Sequence, residues 1–163
     1  MLRAKMRLAL PVAAAILMLG ASVALCDVVE NMAVSATVLS VCSFGAAPAL
    51  AFGTYDPTSG TDKTGTATVA LTCTLGTPVL VSLDNGTHFA SSTRNLSDGT
   101  NSLQYGIYQN SGHTTPWGTG ANSEAYVGTG IAGTITAFGL ITKSQQSAAN
   151  GSYTDTVVVT VTL

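Results

Sequence analysis

Apolar and polar side chains alternate with a period of two through much of this chain, most cleanly near its two ends. Over Asp27 to Cys42, Val28, Glu30, Met32, Val34, Ala36 and Val38 share one face, while Val29, Asn31, Ala33, Ser35 and Thr37 share the other. The first face is apolar except at Glu30, so the spacing predicts a strand laid against a sheet. The closing stretch, Tyr153 to Leu163, puts Val157, Val159, Val161 and Leu163 on one face and Thr160 and Thr162 on the other. Between them, alternation predicts strands over Thr66 to Thr74, Pro78 to Asp84, Leu103 to Tyr108 and Thr134 to Ile141, with a short one over Pro48 to Tyr55. Asp56 to Gly65, Gln109 to Gly130 and Thr142 to Gly151 read as loops, and Asn85-Gly86 as a turn that tolerates positive φ.

No run of ten residues after the first 26 carries helical spacing with caps, so the pattern predicts an all-β fold, a sandwich of short strands. About six core strands follow Cys42, where an immunoglobulin-like sandwich of the constant type has seven. The last of them would present an open edge, while the segment from Asp27 lacks an evident partner. One surplus strand and one vacancy predict exchange between molecules, a strand added head to tail to a neighbour's sheet.

Composition narrows the functional classes. Only 9% of the 163 residues are charged. Residues 1 to 26 read as a secretory signal, with Arg3, Lys5 and Arg7 before the uncharged apolar run Leu8 to Leu19, too short to span a bilayer comfortably. Small residues permit cleavage after Ala24 or after Cys26, and the large Leu25 argues against lipidation of Cys26. Removing that segment leaves Lys63, Arg94 and Lys143 against eight acids, 3 − 8 = −5. Three scattered cations offer no path for a phosphate backbone, so nucleic acid is an unsuitable partner. No further membrane span is expected.

Export also sets the chemistry of the cysteines. With Cys26 gone, Cys42 and Cys73 remain as an even pair in an oxidising compartment and are expected to form a disulfide. A redox or metal role would need C-x-x-C spacing or histidines in a ligand motif, and neither His88 nor His113 sits in one. Asp84, His88, Asp98 and His113 lack a nucleophile motif or paired-carboxylate pattern, so no enzymatic activity and no cofactor is expected. Asp155 shares parity with Tyr153 and Val157, which allows an inward carboxylate or a surface one. Trp117 and Tyr126 fit either a sugar-binding patch or local packing anchors. The sequons at Asn85, Asn95 and Asn150 are common by chance in a chain rich in Ser and Thr.

Several segments together, F-G-T-Y at Phe52 to Tyr55, the cysteine pair, V-S-L-D-N-G at Val81 to Gly86, L-Q-Y-G-I-Y at Leu103 to Tyr108, F-G-L-I at Phe138 to Ile141 and G-S-Y-T-D-T-V-V-V-T-V-T-L at the end, resemble the spore coat protein U domain of archaic chaperone-usher pilus subunits. The resemblance covers nearly all of the chain beyond residue 26. It implies an incomplete immunoglobulin-like, pilin-type sandwich lacking its last strand and completed by donor-strand exchange. A periplasmic chaperone would hold each subunit, and an outer-membrane usher would assemble copies of this or related chains into a cell-surface fibre supporting adhesion or biofilm formation. On that reading 27–38 is a donor extension and 39–163 the sandwich domain. Val28, Met32, Val34, Ala36 and Val38 map to donor positions, with Glu30 a departure. Val157, Val159, Val161 and Leu163 line the edge strand of the acceptor groove, where a chaperone would also bind. The competing expectations are a secreted carbohydrate-binding adhesin and a coat or matrix protein deposited without an usher.

Overall fold

The computed structural model describes residues 26–163, so the expected signal lies outside the described residues apart from an exposed, unbridged Cys26. Among the described residues there are eight strands: β1 (Cys42–Phe44), β2 (Lys63–Cys73), β3 (Pro78–Leu83), β4 (Arg94–Ser97), β5 (Ser102–Tyr108), β6 (Glu124–Val127), β7 (Ala132–Ile141) and β8 (Val159–Thr162). They form a five-stranded sheet in the order β1-β2-β7-β5-β4 and a three-stranded sheet in the order β6-β3-β8. Every pairing is antiparallel. The chain is all-β, an immunoglobulin-like sandwich whose smaller sheet ends on a short edge strand.

Alternation explains why these segments pair. In β2 Ala67, Val69, Leu71 and Cys73 are buried while Thr66, Thr68 and Thr72 are exposed. In β3 Val79, Val81 and Leu83 are buried, and in β5 Leu103, Tyr105 and Ile107. These faces close on one core with Ala137, Ile141 and Trp117. The indole of Trp117 is fully buried and its Nε1–H donates to the Val81 carbonyl at 2.8 Å, satisfying the one polar atom it brings inside. A bridge joins Cys42 to Cys73, which lie opposite each other in the β1–β2 register.

Residues 26–41 pair with no strand within the chain, and the first ladder begins at Cys42. A strand needs a partner for its N–H and C=O groups, and alternation by itself provides none. Three expectations about the rest of the chain are corrected. Pro48 to Tyr55 is irregular. It lies across the inner face of the larger sheet, where Gly65 and Gly139 are register partners and leave room for it. A Cβ at Gly139 would stand 2.8 Å from the Phe52 ring and 2.9 Å from Leu50, and one at Gly65 2.8 Å from the Ala51 carbonyl.

The closing strand is shorter than its alternation. Thr154 bridges Ser97 of β4 in one sheet, whereas 159–162 pairs with β3 in the other, so the backbone crosses between sheets at 155–158. Asp84 guides that crossing: its amide donates to the Val158 carbonyl and its Oδ1 accepts from the Val158 and Gly86 amides, both at 2.9 Å. Finally, the polar connection after Tyr108 contains β6, and β4 is a further strand that the alternation does not reveal.

A candidate acceptor groove

Between the two sheets runs a cleft of about 400 Å³. Ala67, Val69, Tyr105, Ile107 and Ala137 form its wall on the larger sheet, Leu83, Val157 and Val159 line it from the smaller one, and Pro48 to Leu50 with Phe52 form a rim. Leu50, Phe52 and Leu96 also border a second cavity of about 680 Å³ that continues toward Tyr55, Leu103, Ile141 and the 148–153 segment. The rim segment is what sequence reasoning missed, because a stretch with strand composition here lies across a sheet instead of extending one. The Gly65/Gly139 pair was the available signal.

On the smaller sheet β8 pairs with β3 on one side, and among the described residues no strand pairs with its other side. Val157, Val159 and Val161 are half-buried and pack against the core from this edge. Leu163, the fourth residue of the same parity, is 60% exposed and lies outside the cleft lining. An apolar cleft beside an unpaired edge offers a β segment both a ladder and side-chain pockets.

Asp155 also lines the cleft. Its side chain is only 1% exposed. It accepts hydrogen bonds from the Tyr105 hydroxyl (2.6 Å), the Thr87 hydroxyl (2.7 Å), the amides of Thr87 (3.0 Å) and His88 (3.2 Å), and pairs with His88 Nδ1 (3.1 Å). Burial pushes the carboxyl pKa up, but the bonds from Tyr105, Thr87, the Thr156 backbone and His88 outweigh it and hold the group below the usual carboxylate range. The same pair raises the Tyr105 phenol far above its ordinary value, through burial first and then the carboxylate beside it. Gly86, at φ +81°, brings the turn so close that a Cβ there would collide with Asp155. Parity left Asp155 either inward or at the surface; its side chain is inward, and its partners come from 50 to 68 residues away.

Nearby, Arg94 donates through Nε and Nη2 to the Asp84 carbonyl (3.0 and 2.5 Å) and through Nη1 to the Trp117 carbonyl (3.0 Å), fastening β4 to the end of β3. Burial lowers its pKa, opposed by Tyr105, Asp84 and Asp155. The remaining polar candidates disperse. Asp98 caps the turn to Asn101, His113 packs edge-on against Tyr108, and Asn95 is buried with its amide donating to the His88, Ala90 and Thr93 carbonyls. Among the described residues no three His, Cys, Asp or Glu side chains gather as a metal site.

Val28, Met32, Val34 and Val38 are 81–89% exposed and Ala36 is exposed as well. No described helix is long and apolar enough to cross a membrane.

Comparison with known proteins gives three findings. The family described as Spore Coat Protein U domain matches residues 28–160, a span that includes most of the exposed extension. Protein U of Myxococcus xanthus is 29% identical over 150 residues, covering 81% of this chain and 83% of that protein. A chain in the crystal structure of the CsuC-CsuE chaperone-tip adhesion subunit pre-assembly complex, from the archaic chaperone-usher Csu pili of Acinetobacter baumannii, matches with a TM-score of 0.58 at 23% identity. That match covers 78% of this chain and 40% of the other, and it is a likeness of fold.

Proposed function

Because this chain belongs to the Spore Coat Protein U domain family, we propose that it is a structural subunit of a secreted surface fibre, polymerised when the extension of one copy fills the groove of the next. The observation that carries the reading is the unpaired edge of β8 standing over an apolar cleft. The alternating, exposed segment from Val28 to Val38 supplies the complementary shape.

Ordering the donor costs backbone entropy of about 1–2 kcal/mol per residue. Its own side chains do not offset this alone, because a buried Val or Met returns about 1.5–3 kcal/mol at most. The groove residues leave water at the same time, and each new ladder bond adds about 0.5–1.5 kcal/mol. An unfilled groove is also an edge prone to aggregation, which is a reason for a periplasmic chaperone to hold the subunit and an outer-membrane usher to hand it on. The fibre would stand at the cell surface and serve adhesion or biofilm formation, with scaffolding and not catalysis as its role.

Deleting Asp27–Ala36 tests the proposal. The expected product is a secreted domain that binds chaperone and does not extend a polymer, and normal fibres from the deletion would refute it. A second reading, a coat protein deposited without an usher, draws on the family's description as a spore coat domain and is distinguished by secretion that persists when the usher is absent. Of the two aromatics considered for a carbohydrate site, Trp117 is wholly inside the core and Tyr126 is half-buried against it, which supports packing roles for both.

A further inference from the structure

We infer that Asn150 is a site of spontaneous covalent modification, losing its side-chain amide to attack by the Gly151 backbone nitrogen, while the fold shields the same dipeptide at Asn85. The inference stands apart from the donor-strand reading.

Of the seven asparagines only Asn85 and Asn150 precede glycine. Glycine has no Cβ to obstruct a close approach of its own backbone, so its nitrogen can reach the carbonyl carbon of the preceding asparagine side chain. At Asn150 the Gly151 nitrogen gives up its proton and bonds to Cγ, the Cγ–Nδ2 bond breaks, and Nδ2 leaves with a proton as ammonia. Water then opens the five-membered imide at one of its two carbonyls. One opening gives aspartate, and the other gives isoaspartate, whose backbone runs through the former side chain and is one atom longer. Water is the one co-reactant, and nothing is oxidised or reduced.

The two sites differ in what the attacking nitrogen is bonded to. Gly86 N–H donates to Asp84 Oδ1 at 2.9 Å, and its peptide is held at φ +81°. The amides that follow, of Thr87 and His88, donate to the buried Asp155 carboxylate at 3.0 and 3.2 Å. Attack on Asn85 must therefore release an amide from a carboxylate and turn a peptide that is pinned on its C-terminal side. Asn150 and Gly151 are exposed. The Ala148 amide donates to the Gln145 carbonyl and the Thr154 amide to the Ser97 carbonyl, but among the described residues the backbone amides of 149–153 between them have no acceptor. The Gly151 nitrogen is free to turn toward Asn150.

Conversion would be felt by the chain beyond. The Tyr153 hydroxyl donates to the Ala149 carbonyl at 2.8 Å, a bond that spans the reacting dipeptide, and Tyr153 packs against the core. Gly151 lies against Asp98, whose Oδ2 would stand 2.9 Å from a Cβ there. The product adds a negative charge to a segment that already faces a carboxylate and, as isoaspartate, lengthens the backbone under the Tyr153 bond.

The test is peptide mass spectrometry on the folded full chain aged in warm, mildly alkaline buffer made with heavy-oxygen water. The Asn150 peptide should convert with uptake of the label, in aspartyl and isoaspartyl forms. The Asn85 peptide should convert roughly ten- to hundredfold more slowly, the population cost of freeing an amide from a carboxylate. In guanidinium chloride the two should convert at similar rates. An Asn150 peptide that stays unlabelled, or an Asn85 peptide that keeps pace with it in the folded chain, overturns the assignment. So does a difference that persists unchanged after unfolding, because the fold would then not be its source. The N150Q chain aged in parallel should keep its melting temperature while the converted chain loses some of its own, and equal melting temperatures overturn the effect on Tyr153.

Discussion

Asp155 shows how one buried carboxylate can hold a loop, a strand and a chain crossing together. Replacing it with Ala strips partners from the Tyr105 hydroxyl, the Thr87 hydroxyl and two amides. Groups left unsatisfied in a buried site cost about 1–3 kcal/mol, so D155A should lower the urea midpoint by a corresponding amount at pH 7. The pH dependence follows from the two shifts. The carboxyl is held below its unfolded value, so its contribution is present above about pH 3.9 and is lost as pH falls through the lower folded value. Tyr105 is raised, so its contribution is present below about pH 10 and is lost as pH climbs further. Urea melts of the wild type should therefore weaken at both extremes, and D155N should flatten the acid limb. An unchanged acid limb in D155N would show that other carboxylates control it.

At the scale of elements, the sequence was most legible where a strand is buried on one face and wet on the other. β2, β3, β5 and β7 each lie within two or three residues of the stretch that alternation marks out. β4 was hidden because its one buried position is Asn95, with Leu96 half-buried beside it, and Asn95 is polar and satisfied by nearby carbonyls. β6 was hidden in a Gly-rich loop, with only Tyr126 turned toward the core. The rim segment misled in the opposite direction, since Leu50 and Phe52 have strand character but rest on the bare backbone at Gly139. Filling that space should expel them: G139V is expected to cost about 1–3 kcal/mol by overpacking and to open the cleft, read as a lower melting temperature with increased binding of a hydrophobic dye. The bridge between Cys42 and Cys73 spans 31 residues, and closing a loop of that size contributes about 3–4 kcal/mol in the chain-entropy model. C42S/C73S should lose most of that in equilibrium unfolding.

For the whole molecule, what the sequence could express was a mismatch between an unpartnered alternating segment and an edge strand without a neighbour. The cleft that joins those two facts needs both sheets and the rim, and so becomes visible only in three dimensions. If the cleft takes a donor strand, its occupant stabilises the folded state by RT ln(1 + [L]/Kd), about 2.7 kcal/mol at a hundredfold excess over Kd. A synthetic peptide with the sequence of Asp27 to Val38, added to the chain lacking Asp27–Ala36, should therefore raise its melting temperature in a concentration-dependent way. The same peptide carrying V34D should fail, because the charge would enter an apolar cleft without a partner. A peptide altered instead at Asn31 or Ser35, on the opposite face of the strand, should keep its effect. Equal stabilisation by all three peptides would mean that binding does not read the alternating face, and the groove would then have to be assigned another occupant.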